Sequence, residues 1–198
     1  MSYYRRLPLN PNKKLQAYII GVALGDGNLS NPNGRAVRLR ISCDKKYPLL
    51  IKHFVNSLQS LLPKNKIGIV GRGKNCVDIS VYSNHLPKLM GWEWSDGPKD
   101  KQNVGVPNWI KKDKNLAKEC LRGLFQTDGS IYKDRDYLMV NFVNVSPKLS
   151  NDVFKMLKQL GYQPNLQNFK QINGKLKHTI RLAKNVQKFI EETGYWKK

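Results

Sequence analysis

The sequence predicts an α+β chain built as two pseudo-symmetric halves, each ordered helix, two strands, helix, two strands, helix. Three observations predict it. A mainly apolar helical stretch ending in Asp-Gly occurs twice, at 15–29 (LQAYIIGVALGDGNL) and 116–131 (LAKECLRGLFQTDGSI), with Asp26 and Asp128 102 residues apart. That distance suits an internal duplication with one small domain per copy. The hydrophobic period then alternates between helix and strand in the same order after each copy. The basic excess is duplicated too: residues 1–91 carry 15 Lys and Arg against 3 acids, residues 115–198 carry 15 against 7, and residues 92–114 are nearly neutral.

In the first half, Asn31-Pro32-Asn33-Gly34 signals a turn. Val37-Arg38-Leu39-Arg40-Ile41 then alternates apolar and basic, the mark of a half-buried strand. Ile51, Phe54, Val55, Leu58, Leu61 and Leu62 share one helical face, which Pro63 ends. Residues 66–72 and 76–82 read as strands, and Leu86, Leu89 and Met90 begin a short helix. In the second half, residues 133–136 turn and 137–144 form a strand. Ser146 caps a helix that opens on Pro147 and stops at Gly161. Residues 165–171 and 176–183 form a hairpin around Asn173-Gly174, and Val186, Phe189 and Ile190 mark a last helix. Between the halves, 92–114 holds Pro98, Gly105 and Pro107 without regular period and reads as a linker.

Composition narrows the function. With 198 residues, 40% of them hydrophobic, the chain can bury real cores and is neither disordered nor fibrous. No apolar run is long enough to cross a bilayer. The N-terminal MSYYRRLPLNPNKK lacks the apolar region of a secretory signal. Cys43, Cys76 and Cys120 are widely spaced, which indicates neither disulfides nor zinc and points to a soluble protein in a reducing compartment, cytoplasm or organelle matrix. The formal charge of +21 dominates; such an excess repels itself unless a polyanion relieves it, and nucleic acid is the commonest one.

Residues 19–27 (IIGVALGDG) and 121–129 (LRGLFQTDG) resemble the paired nonapeptides of the LAGLIDADG homing endonuclease family, and so does the approach Val106-Pro107-Asn108-Trp109-Ile110. The similarity covers nearly the whole chain. It implies two αββαββα half-domains packed through their motif helices, with antiparallel sheets forming a saddle on double-stranded DNA. It also implies a monomeric, intron-encoded enzyme that breaks both strands of a long pseudo-palindromic site. The alternative on the same fold is an intron RNA maturase.

The motif has its own physics. Gly21 and Gly25, matched by Gly123 and Thr127, place small residues on one face of each helix. Glycine inside a helix costs about 0.5–1 kcal/mol relative to alanine, so four small positions in two matched helices want a packing reason. If the helices lie side by side, Asp26 and Asp128 meet at their C-terminal tips. Two close carboxylates repel unless a cation joins them, and the negative helix ends add to that demand. With the carbonyls of Gly25 and Thr127, they suit Mg²⁺, and the same oxygens can take Mn²⁺ or Ca²⁺. A lone Asp-Gly is more often a helix cap or turn; its duplication favours a site. The consensus carries an earlier acid, which is Leu24 in one copy and Gln126 in the other.

The resemblance further implies a polar group beside each scissile phosphate, from the end of the second strand and the start of the last helix. Asn144 and Lys184 fit in the second half; Cys43, Asp44 and His85 are the first-half counterparts. The DNA-facing residues follow from alternation: Arg38, Arg40 and Ser42 with Arg35 just before them, then Arg72, Lys74, Ser80 and Tyr82. In the second half they are Met139, Asn141, Lys175, Lys177, Thr179 and Arg181. Arginine pairs bidentately with guanine in the major groove, where a two-stranded ribbon fits.

Overall fold

The computed structural model of the chain describes residues 12–172 and 174–197. The N-terminal stretch up to residue 11, read as lacking a secretory signal, and Asn173 of the hairpin turn lie outside the described residues.

The first half runs α1 (Lys13–Asp26), β1 (Gly27–Ser30), β2 (Arg38–Asp44), α2 (Pro48–Leu61), β3 (Gly68–Arg72), β4 (Cys76–Tyr82) and α3 (Leu86–Met90). A short α4 (Asn108–Lys111) follows, then α5 (Lys114–Asp128), β5 (Gly129–Asp134), β6 (Tyr137–Asn144), α6 (Pro147–Gln159), β7 (Asn165–Lys170), β8 (Leu176–Leu182) and α7 (Val186–Thr193). Each half is thus αββαββα, with an antiparallel four-stranded sheet of order β1-β2-β4-β3 or β5-β6-β8-β7.

Local chemistry starts the two long helices. The Asn12 side chain accepts from Leu15 N at 3.1 Å, and Asp113 accepts from Asn115 N and Leu116 N at 2.8 and 3.1 Å. All eight residues 17–24 of α1 are buried, because α5 covers the side that its own sheet leaves open. The helices touch backbone to backbone. A Cβ on Gly21 would run into the Cys120 carbonyl oxygen, and one on Gly123 would lie 2.7 Å from Val22 N. Gly27 and Gly129 are needed for space as well, not for a left-handed turn. Their φ values are −84° and −94°, and a Cβ on Gly27 would sit 2.6 Å from Ala23 Cα. Across the interface the Tyr18 hydroxyl donates to Gln126 Oε1 at 2.6 Å, so the residue in place of the second copy's earlier acid ties the helices together.

Register carries the duplication into the sheets. Gly27 pairs with Ile41, as Gly129 pairs with Phe142. Counting two residues on, Cys43 and Asn144 hold equivalent strand ends, on the same face as the core residues Leu39, Ile41, Val140 and Phe142.

Residues 92–114 run between the halves packed rather than as a free tether. Trp92, Val104, Val106 and Ile110 are buried one at a time, which leaves no period in the sequence. The stretch docks on the second half: buried Asp152 of α6 accepts from Val106 N at 2.9 Å and pairs with Lys111 at 3.2 Å. The chain's C-terminal end returns the arrangement, with Trp196 5.6 Å from the His53 ring of α2 and Lys197 over the Tyr47 ring at 5.4 Å. Each half's tail therefore reaches the other half as well as its own.

Candidate active site and nucleic-acid face

Asp26 and Asp128 are the last residues of α1 and α5, and the close helix crossing brings their tips together. A Cβ on Gly25 would lie 2.7 Å from Thr127 Cβ and 3.4 Å from Asp128 Oδ2. Asp26 is exposed and Asp128 half-buried, yet the protein packed around each helix tip displaces water from both carboxyls, and that desolvation is the first reason their pKa values rise. Asp128 is pushed up to about 6 by desolvation and then by the charge of Asp26, against the pull of Asn144, Lys99 and Lys197. Asp26 is raised by desolvation against Lys197 and Lys99.

The two lysines come from the crossed tails. Lys99 Nζ donates to the carbonyls of Ala23, Leu24 and Gly25 at 2.9, 2.6 and 2.9 Å. Lys197 Nζ donates to Thr127 O at 2.8 Å and Gly129 O at 3.0 Å. Each ammonium thus closes the negative end of a motif helix whose last carbonyls have no helical partner. Burial pushes Lys99 down to about 8, opposed first by Asp128 and then by Asp26. Lys197 is lowered by burial, opposed first by Asp26 and then by Asp128.

Two pockets result, each assembled from both halves. One, of about 310 Å³, is lined by Gly25, Lys99 and Asn144 together with Trp92 and Leu149. There Asn144 Nδ2 donates to Asp128 Oδ2 at 2.7 Å, while its Oδ1 accepts from Ser146 N at 2.8 Å, which fixes the amide's orientation. The other, of about 200 Å³, is lined by Asp26, Cys43, Asp44, Thr127, Tyr47 and Lys197. Burial, then the charge of Asp26, pushes the Cys43 thiol up to about 12.

Two carboxylates and the carbonyls of Gly25 and Thr127, all oxygen, meet here, the carbonyls accepting from Lys99 and Lys197. Among the described residues no cluster of three His, Cys, Asp or Glu could cage a metal. Two carboxylates with carbonyl oxygens are a set that would suit Mg²⁺, which binds one or two carboxylates and keeps water and phosphate for the rest. Desolvation raises both carboxyls, and the two ammoniums oppose that rise.

Among the expected accessory groups, Asn144 is at the site and Cys43 holds the equivalent strand end. Lys184 is exposed, and the lysines whose charge acts on the two carboxylates are Lys99 and Lys197. His85 precedes α3 and its backbone N–H donates to Ser83 Oγ. Sequence reasoning missed Lys99 and Lys197. They stand 73 and 69 residues beyond Asp26 and Asp128, so the duplication itself held the available signal.

The expected DNA face is one face of each sheet. Arg38, Arg40 and Ser42 alternate with buried Leu39, Ile41 and Cys43, and their ladder partners are Tyr82, Ser80 and Asp78. Arg72 and Tyr82 are exposed, as are Arg35 and Lys74 in the turns. In the second sheet Asn141 pairs with Arg181, and Met139, Lys177 and Thr179 share their parity; Lys175 is exposed at the hairpin turn. Thr179 departs from expectation. It is only 8% exposed, because Val143 and Gln167 flank it on the two neighbouring strands. Asp78, an acid on the basic face, was also not anticipated.

Known proteins share this geometry. Residues 115–194 match the LAGLIDADG-like domain and residues 15–69 the WhiA LAGLIDADG-like domain. The chain is 27% identical over 212 residues to the tRNA-splicing ligase RtcB of Methanopyrus kandleri, covering 94% of this chain and 21% of that protein. It is 28% identical over 154 residues to a DNA polymerase of Thermococcus hydrothermalis, covering 72% of this chain and 8% of that one. The chain therefore spans about a fifth or less of the length of these relatives. Among solved structures, variants of the homing endonuclease I-DmoI superpose with a TM-score of 0.68 at 19% identity, covering 91% of this chain and 95% of theirs. Full-length DUF199/WhiA from Thermatoga maritima gives 0.66 at 16% identity, covering 96% of this chain and 58% of its own. Two motif helices crossing at paired glycines, two matching sheets and two family matches on successive halves lead to one conclusion: the chain belongs to the LAGLIDADG family, as a single-chain, two-motif member.

Proposed function

We propose that the chain is a site-specific endonuclease that makes a double-strand break in a long, pseudo-palindromic DNA target by Mg²⁺-dependent phosphodiester hydrolysis. The observation that carries this reading is the pair of carboxylates at touching helix tips, each served by a lysine and each beside a sheet with a basic face. Solved structures of I-DmoI with DNA and Mn, and of a single-residue variant of it with target DNA and Mg, support it through the shared fold. The curated relatives add an independent argument. The match takes in only 21% of a ligase and 8% of a polymerase, a short stretch of each, and that suits a segment with a function of its own.

Asp26 with Thr127 O, and Asp128 with Gly25 O, are the ligands that would hold the cations. A bound Mg²⁺ lowers the pKa of its water and stabilises charge on the scissile phosphate. The chain's own groups do the rest. Asn144 Nδ2 holds the Asp128 carboxylate in one orientation. Lys197 Nζ and Lys99 Nζ bring positive charge to the two pockets. Lys99, whose three donors are held by the carbonyls of Ala23, Leu24 and Gly25, supplies positive charge near the reacting oxygens, and with its pKa pushed down to about 8 that charge fades as the pH rises through 8. The arginines and lysines of the two sheets neutralise phosphates along the duplex. Because one chain carries both motifs, it acts as a monomer.

A second reading, binding without cutting, draws on one observation: the ammoniums now occupy the Gly25 and Thr127 carbonyls that a cation would use. One experiment separates the two. The protein is incubated with a randomised duplex library and Mg²⁺, and both linear products and bound duplexes are sequenced. Cut ends that recur in one sequence support the nuclease, and their loss in the Asp26→Asn, Asp128→Asn double variant assigns the site. Sequence-selective binding with no cut product at any Mg²⁺ concentration would leave only the second reading.

A further inference from the structure

The first sheet carries an acid in the middle of its basic face. Asp78 lies on β4 opposite Ser42, and its side chain is only 14% exposed. Its Oδ1 accepts the Ser42 hydroxyl at 2.7 Å, while its Oδ2 faces Arg40 Nη1 at 3.8 Å and Arg72 Nη1 at 3.9 Å. Three strands meet at this carboxylate, since Arg40 is on β2 and Arg72 on β3. Against phosphate, an acid here is a liability: it cancels part of the attraction that the surrounding arginines create. Its retention on this face needs another use.

The distances suggest what that use is. At 3.8–3.9 Å the carboxylate attracts both guanidiniums without consuming their N–H donors in short hydrogen bonds. Arginine reads guanine through two parallel donors, so a guanidinium already held in one orientation loses less freedom on binding. The Ser42 hydroxyl fixes Asp78 from the other side, which keeps the hub itself from swinging. The second sheet lacks this device. The position matching Asp78 by ladder register is Thr179, opposite Val143, and Arg181 has no acidic partner among the described residues.

Resting on the DNA-reading function proposed above, we infer that Asp78 is a positioning residue for base recognition: it holds Arg40 and Arg72 over the target so that the first half discriminates guanine more sharply than the second. It trades total affinity for selectivity. The device acts on the arginines; Asp78 itself touches no base.

The test is the randomised-library selection repeated with Asp78→Asn. Asparagine keeps an oxygen for the Ser42 hydroxyl and removes the charge. The expected result is a roughly tenfold fall in guanine preference at the first half-site, the scale of one bidentate contact. Preferences at the second half-site stay unchanged, and affinity for random-sequence duplex rises several-fold. Adding Asp78→Asn to the Arg40→Ala, Arg72→Ala pair should produce no further loss of guanine preference. An Asp78→Asn protein with undiminished guanine preference, or with equal losses in both half-sites, overturns the proposal. If the unaltered protein enriches no sequence at all, the DNA-reading function itself has failed, a result distinct from the first.

Discussion

The pocket at Asp128 and the pocket at Asp26 share a plan and differ in what surrounds the acid. Asp128 accepts an amide hydrogen bond from Asn144 and faces a half-buried lysine whose pKa desolvation pushes down to about 8. Asp26 has a thiol at the equivalent strand end, and its lysine sits at the chain's C-terminal end beside Tyr47 and Lys46. The duplicated framework therefore supplies position, while the tuning of each carboxylate is local. Because each pocket takes its acid from one half and its lysine tail from the other, neither half can be complete alone.

The largest way to break the comparison is to remove one acid at a time. Asp26→Asn and Asp128→Asn should each slow cutting of one strand by on the order of 10³-fold, the scale of losing a charge-stabilising group at the reacting centre. The two variants should leave nicks in opposite strands, read on end-labelled target. Next come the lysines. Lys99→Met and Lys197→Met should each lower the rate of one strand's cut about 10²-fold. Lys99→Met should also erase an inflection near pH 8 in that strand's rate profile, since that is where Lys99 titrates.

Stability offers a third measurement, whose sign can be worked out. The folded pKa of Asp128, about 6, lies above its ordinary value of 3.8. The folded chain thus holds the proton more tightly than the unfolded chain. That contribution is complete below pH 3.8 and lost as pH rises through 6. At pH 7.5 Asp128→Asn should be more stable than the unaltered protein by on the order of 2 kcal/mol, with the gap closing near pH 4, measured by denaturant unfolding. Mg²⁺ should raise the melting temperature of the unaltered protein more at pH 7.5 than at pH 5. The smallest effects sharpen the contrast between pockets. Asn144→Ala should cost about tenfold on one strand, the value of a hydrogen bond to a charged group, and Cys43→Asn should bring the two strand rates closer together.

How much of this was legible beforehand differs by element. The strand Cys76–Tyr82 falls where the alternation placed it, Tyr137–Asn144 forms the expected strand although both its faces are partly apolar, and Ser146 caps α6 as its position before Pro147 indicated. These depend on neighbours within a few residues, and local steric and hydrogen-bond preferences decide them. The burial of Thr179 was not legible, because alternation names a face and not what the flanking strands place over it. Lys184 follows β8 in an exposed turn, while Lys99, in a stretch without any period, reaches the site.

By itself the sequence determined the duplicated αββαββα order, the pairing of small residues on two apolar helices, the two aspartates at their ends and a basic face on each half. All of these are repeated, short-range patterns. Tertiary structure alone decided that the tails cross, that Lys99 and Lys197 close the helix ends, and that Asp78 gathers two arginines from different strands. Those contacts join groups far apart along the chain, and their strength comes from burial and charge at a few ångströms, quantities that exist only once the halves have packed.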